Sequence, residues 1–168
     1  VAIGHSALAA LTTGANNVAI GFNAMLEETT GGNNTVIGHS AMDDSLAGLG
    51  NGNNTFIGYS SGSGTWLTAS SNYNTAVGSN TMTGAMNGAD NNTAIGYAAL
   101  NAITTGDSNT TVGNNTAKLI TSGHNNTVMG NNAANAMRAT SAYNTVYGAG
   151  AFAGAHVTSD SDRCTAIG

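Results

Sequence analysis

The 168-residue sequence contains no proline, one cysteine, three cationic side chains and only 7% charged residues, with 5% aromatics. Each shortage excludes something. Without proline the chain is not collagen. With Cys164 alone it holds no disulfide framework. Lys118, Arg138 and Arg163 are too few to hold nucleic acid phosphates or an anionic membrane surface, and the net charge is −5. No apolar run approaches the roughly 18 residues that cross a bilayer, so membrane insertion by this segment is not expected. An ordinary enzyme domain carries about a quarter of its residues charged, and a disordered chain is poor in apolar residues, whereas this one is 40% hydrophobic. The surplus lies in Gly and Asn, 24 of each. Such a composition points to a repeat.

One phrase returns ten times. It opens as Val1-Ala2-Ile3-Gly4 and closes as Cys164-Thr165-Ala166-Ile167-Gly168, with forms such as N-T-V-I-G and N-T-A-V-G between. Its glycines are Gly4, Gly21, Gly38, Gly58, Gly78, Gly96, Gly113, Gly130, Gly148 and Gly168, spaced 17 to 20 residues apart. A fixed phrase with a variable spacer is the signature of a solenoid coil with one adjustable loop. The expected fold is an all-β parallel roll of nine to ten coils forming one array over residues 1–168. At about 4.8 Å per coil it is a rod of roughly 45 Å. No atypical capping coil is visible at either end, so the array reads as a stretch of a longer fibrous protein.

The columns of the repeat carry different chemistry. Before each glycine stands a large apolar residue: Ile3, Ile20, Ile37, Ile57, Val77, Ile95, Val112, Met129, Tyr147, Ile167. Its size and mostly β-branched character assign it to the core. Three before the glycine Thr predominates, and four before it comes Asn17, Asn34, Asn54, Asn74, Asn92, Asn109, Asn126 or Asn144. Stacked asparagines form amide ladders. The middle column, Ala2 to Ala166 through Phe56, alternates away from the assigned core and is a candidate inter-chain surface. Small residues and then Leu or Met after the glycine suggest a short return strand, although the Ala-rich stretch 132–139 also suits a helix. All eleven charged residues fall between the phrases, which makes those turns the wet side.

N-T-A-I-G-Y-A-A-L at 92–100 and T-T-G-D-S-N-T-T-V-G at 104–113 resemble the head repeats of trimeric autotransporter adhesins. They resemble still more the repeat arrays of phage tail-fibre proteins that end in a self-cleaving chaperone domain. The resemblance covers the whole chain. It implies a left-handed β-roll, three chains side by side around a threefold axis, an extracellular or virion setting, and attachment to a host or target cell-surface glycan or protein. The period here is longer than that of the adhesin heads, which favours the tail-fibre type.

Candidate sites are few. Glu27-Glu28 and Asp43-Asp44 are adjacent and point apart on a strand. Asp160 and Asp162 could in principle supply a glycosidase carboxylate pair, but solvated turn acids are the better account of all three, so no catalysis, metal or cofactor is expected. His5 and His39 share the column after the glycine with Phe22, Tyr59 and Tyr97, which reads as an exposed face rather than a metal site. The Thr column raises ice or surface binding by a monomeric solenoid as a further alternative. Asn-x-Ser/Thr matches such as Asn33 and Asn91 come cheaply in an Asn/Thr repeat. Among the longer turns (43–53, 62–71 and 152–162), Trp66 and Leu67 are the candidate receptor contact, because Trp is enriched where proteins bind.

Overall fold

The computed structural model describes residues 1–45, 48–154 and 162–168. Among these the chain forms strands β1 (Ala2–Ile3), β2 (Val18–Ile20), β3 (Thr35–Ile37), β4 (Thr55–Ile57), β5 (Thr75–Val77), β6 (Thr93–Ile95), β7 (Thr110–Val112), β8 (Thr127–Met129), β9 (Thr145–Tyr147) and β10 (Thr165–Ile167). All ten lie in one parallel sheet in chain order. The chain is thus an all-β solenoid of about nine turns, with no helix among the described residues. Every strand pairs phrase on phrase, pre-glycine residue on pre-glycine residue and, from β3 onward, Thr on Thr. Three-residue strands are too short to stand alone, and stacking supplies the missing partners. The Thr93 N–H donates to Asn109 O in the next coil at 2.8 Å, and the Gly96 N–H donates to Val77 O in the preceding coil at 2.8 Å.

The inward column is the middle one. Ala19, Val36, Phe56, Ala76, Ala94, Thr111, Val128 and Val146 are fully buried. The pre-glycine column, assigned to the core by its size, faces out instead. Ile20, Ile37, Ile57, Val77, Val112 and Met129 are half-buried. Ile3, Ile95, Tyr147 and Ile167 are 57, 40, 50 and 83% exposed. Alternation decides the matter. The Asn column is buried, so the residue two further on must be inward and the residue three further on outward. The same burial removes the middle column as an inter-chain surface.

The space between sheet and return segment is narrow, and its volume is shared across it. Where the middle residue is Ala19, Ala76 or Ala94, the residue four past the glycine is Met25, Met82 or Leu100, all buried. Where it is Phe56, that position is Gly62, whose added Cβ would lie 2.7 Å from the Phe56 ring.

No return strand forms after the glycine, and residues 132–139 form turns rather than a helix. The second and fourth residues past the glycine are left-handed instead, as at Asn23 (φ 54°) and Met25 (φ 53°), or Ala98 and Leu100 (both φ 50°). Each such non-glycine residue costs roughly 1–2 kcal/mol. Coil-to-coil bonds offset it, because Asn23 N donates to His5 O behind and Met25 N to Ala41 O ahead, each at 2.9 Å. An extended strand would carry the chain away, whereas this curl returns it within one short coil.

The nine repeat glycines from Gly4 to Gly148 sit at the strand ends with φ between 119° and 145°. A Cβ on Gly78 would stand 2.5 Å from Gly96 O of the next coil, so a side chain meets backbone there. Gly88 has φ 81° but meets only Ala69 Cβ at 3.5 Å. Gly78→Ala is therefore expected to lower unfolding free energy by about 3 kcal/mol or more, and Gly88→Ala by about 1 kcal/mol, in urea titrations followed by circular dichroism.

Candidate functional site

The Asn column is inside the solenoid, at most 5% exposed from Asn17 to Asn144. Each amide is used on both sides. Asn109 donates from its backbone N and its Nδ2 to Asn92 Oδ1, both at 3.0 Å, and from Nδ2 to Gly123 O at 2.9 Å. Asn92 makes the same bonds to Asn74 Oδ1 and Gly106 O. At the last copy the Cys164 N–H donates to Asn144 Oδ1 at 2.9 Å, and the thiol hands no amide onward. The ladder fixes register and leaves nothing for a ligand.

Because the Asn and middle columns point in, the Thr, pre-glycine and preceding Asn/Tyr columns point out. Together they cover one side of the sheet, with the post-glycine column along its margin. Of twelve exposed large hydrophobic side chains among the described residues, ten lie in these four columns: Val1, Ile3, Phe22, Tyr59, Tyr73, Ile95, Tyr97, Tyr143, Tyr147 and Ile167. The fixed charge in them is Arg163, whose guanidinium carbon lies 5.5 Å from the Tyr143 ring centroid. Thr35, Thr55, Thr75 and Thr93 are half-buried on this face, and Thr110, Thr127, Thr145 and Thr165 are exposed. The sheet face is thus partly apolar and nearly free of charge, the kind of surface on which binding is looked for.

The rings of the post-glycine column stack along the rod. His5 and Phe22 have centroids 5.3 Å apart, Phe22 and His39 5.0 Å, and His39 and Tyr59 5.5 Å, with interplanar angles of 14, 21 and 26°. His5 and His39 are thus spaced by an intervening ring. No group of three or more His, Cys, Asp or Glu suited to a metal ion occurs among the described residues.

Trp66 does not offer itself to a receptor. It is fully buried, donates from Nε1 to Gly62 O at 2.9 Å, and meets the Phe56 ring edge-on at 5.6 Å. A wide ring and a vacated side-chain position (Gly62) made room for it inside the coil. Leu67 beside it is 44% exposed.

The turns are not uniformly wet either. Glu28 is fully buried at the position that Leu11, Ile103, Ile120 and Met137 hold in other coils. Its Oε1 accepts the N–H groups of Thr29, Thr30 and Gly31 at 3.1, 3.1 and 2.8 Å, and its Oε2 accepts Asn51 Nδ2 at 2.8 Å. Four donors hold this carboxylate as a turn cap. In the next coil Ser45 occupies the same position, and its buried Oγ has no hydrogen-bond partner among the described residues. Burial raises the Asp43 carboxyl above the ordinary carboxylate range, against a hydrogen bond from Ser40. Asp44 accepts a hydrogen bond from Thr65 Oγ1, and Asp162 Oδ1 accepts the Ala142 N–H at 2.8 Å. Asp160 lies outside the described residues.

Set against protein-family models, curated proteins and solved structures, the chain matches none significantly. Among the described residues, no helix is long and apolar enough to cross a membrane.

The ladder predicts a sharp chemical asymmetry. Asn92→Asp keeps the shape but removes the Nδ2 donor and sets a carboxylate against Asn74 Oδ1 and Gly106 O. A loss of roughly 3 kcal/mol or more is expected in thermal or urea unfolding at neutral pH. Asn91→Asp, on the exposed neighbour, is expected to change stability by under about 0.5 kcal/mol.

Proposed function

We propose that this chain is a structural and adhesive module of an extracellular homotrimeric fibre, most closely of the virus tail-fibre type. In this role it extends a rod and presents it to a host or target cell-surface glycan or protein. No reaction is part of this reading. The observation that carries it is the outward side of the sheet, where an in-register apolar column runs the length of the rod beside a column that is Thr from Thr35 onward. About 45 Å of length by about 13 Å of strand width gives about 600 Å² of sheet surface per chain. That is on the scale of the roughly 800 Å² that one partner gives to a standard interface. A thin solenoid buries little core per coil, and association through such a face supplies the remainder. The pre-glycine residues, mostly β-branched and half-buried or exposed in one chain, are the natural inter-chain packing layer. The head of a bacterial trimeric surface adhesin, whose repeats the phrase resembles, is the alternative setting.

One observation favours a second reading, an ice- or surface-binding monomer. Thr35 to Thr165 form an unbroken outward column with strand-to-strand register. Such a hydroxyl array matches an ordered lattice when the face is not used between chains.

Light scattering separates the two. A mass near three times the 16.5 kDa chain is expected, and the paired change Ile57→Asp with Ile95→Asp is expected to give folded monomer. A wild-type monomer that shapes growing ice crystals overturns the trimeric fibre in favour of the second reading.

A further inference from the structure

The ring column has one defined break. From His5 to Tyr59 four rings follow one another at 5.0 to 5.5 Å, one per coil. The next coil places Ser79 in the column, and the coil after it places Tyr97. The backbone register is continuous across the break, since Asn80 N donates to Tyr59 O at 2.9 Å and Ala98 N to Ser79 O at 3.0 Å. Tyr59 and Tyr97 therefore stand two coils apart, about 10 Å, with one serine between them. His39 covers one face of the Tyr59 ring, and the other face fronts the Ser79 position. Tyr59 is 56% exposed and Tyr97 50%. Two coil spacings are also the thickness of two stacking contacts, which lie in the range of 4.5–7 Å between centroids. The break is thus one ring thick.

We infer that the gap over Ser79, between Tyr59 and Tyr97, is a binding slot for a single neutral pyranose ring of a glycan. A pyranose has flat C–H faces that pack against aromatic rings and a rim of hydroxyls. The Ser79 hydroxyl at the floor, with the two phenol hydroxyls at the walls, meets that rim by donating and accepting hydrogen bonds. A purely aromatic guest would fill the same thickness and leave the serine hydroxyl unpaired, which is unfavourable. Neutrality also fits: the strand columns and the first two residues after the glycine carry no charge in the coils ending at Gly58, Gly78 and Gly96. Between His5 and Tyr59 the rings cover each other's faces and leave no room for a sugar. The slot belongs to one chain. Its use in attachment rests on the adhesive reading above, which oligomeric mass tests separately.

The test is saturation-transfer NMR on the natural chain, with methyl β-glucopyranoside and methyl β-galactopyranoside as pyranose probes and benzyl alcohol as the aromatic probe. Saturation is expected at the C–H protons of at least one pyranoside. Tyr97→Ala, which removes a wall, and Ser79→Tyr, which fills the gap with a ring, are each expected to weaken that binding about fivefold or more. Tyr143→Ala, on the other margin of the sheet, is expected to leave it unchanged, and circular dichroism reports that each variant is folded. Ser79→Ala is expected to weaken the pyranoside while sparing benzyl alcohol. Pyranoside signals that persist in folded Tyr97→Ala and Ser79→Tyr overturn the slot. So does selective binding of benzyl alcohol alone, which makes the gap a site for an aromatic ring.

Discussion

One buried amide per coil sets the geometry of this molecule. From Asn34 onward each asparagine of the ladder donates its backbone N–H to the carboxamide oxygen of the coil before, all but Asn54 add a side-chain bond to that oxygen, and each Nδ2 also reaches a turn carbonyl. A polar group this deep is tolerable only when fully bonded. That condition holds only if successive coils superimpose at this position. Everything else in the phrase is then placed by parity. Two residues past the asparagine lies the core, and on either side of that core residue lies the outer face. The glycine comes where the chain must turn with its backbone against the next coil's carbonyl.

Within that frame the interior adjusts locally. Alanine opposite methionine, phenylalanine opposite glycine, and a tryptophan laid edge-on across the phenylalanine are three ways of filling one thin slab. Glu28 is a fourth, in which a side chain that would be apolar elsewhere turns its carboxylate onto three backbone N–H groups. Coils of 17 and of 20 residues coexist because the spare residues fall between phrases, outside the columns of the ladder.

The solenoid itself was legible in the sequence, because the phrase recurs and its columns keep their chemistry. The direction of the columns was not. Isoleucine before the glycine is larger than the alanine beside it, and size argues for burial. Yet the slab is too thin for isoleucine in every coil, and the buried asparagine two residues before the alanine had already set the parity. The return segment was misread as strand because small and apolar residues alternate there. The signal of its left-handed curl is the recurrence of Ser, Asn and Gly two residues past the repeat glycine, as at Ser40, Asn80 and Asn132. Trp66 resembled a surface anchor because it sits in a long turn. The accompanying gap at Gly62, under Phe56, was the clue to its burial. The outer face could be found only after those corrections.

The ladder also has a direction. Its oxygens receive from the following coil and its donors reach toward the preceding one, so the two ends of any stretch differ: one presents an acceptor and the other a donor. A completed coil holds its acceptor at a fixed point and thereby templates the register of the coil that follows it. Ordering can then spread along the chain in the sense of synthesis, each added phrase docking onto a surface already formed. A rod built this way lengthens by whole coils, and its growth has a front and a back.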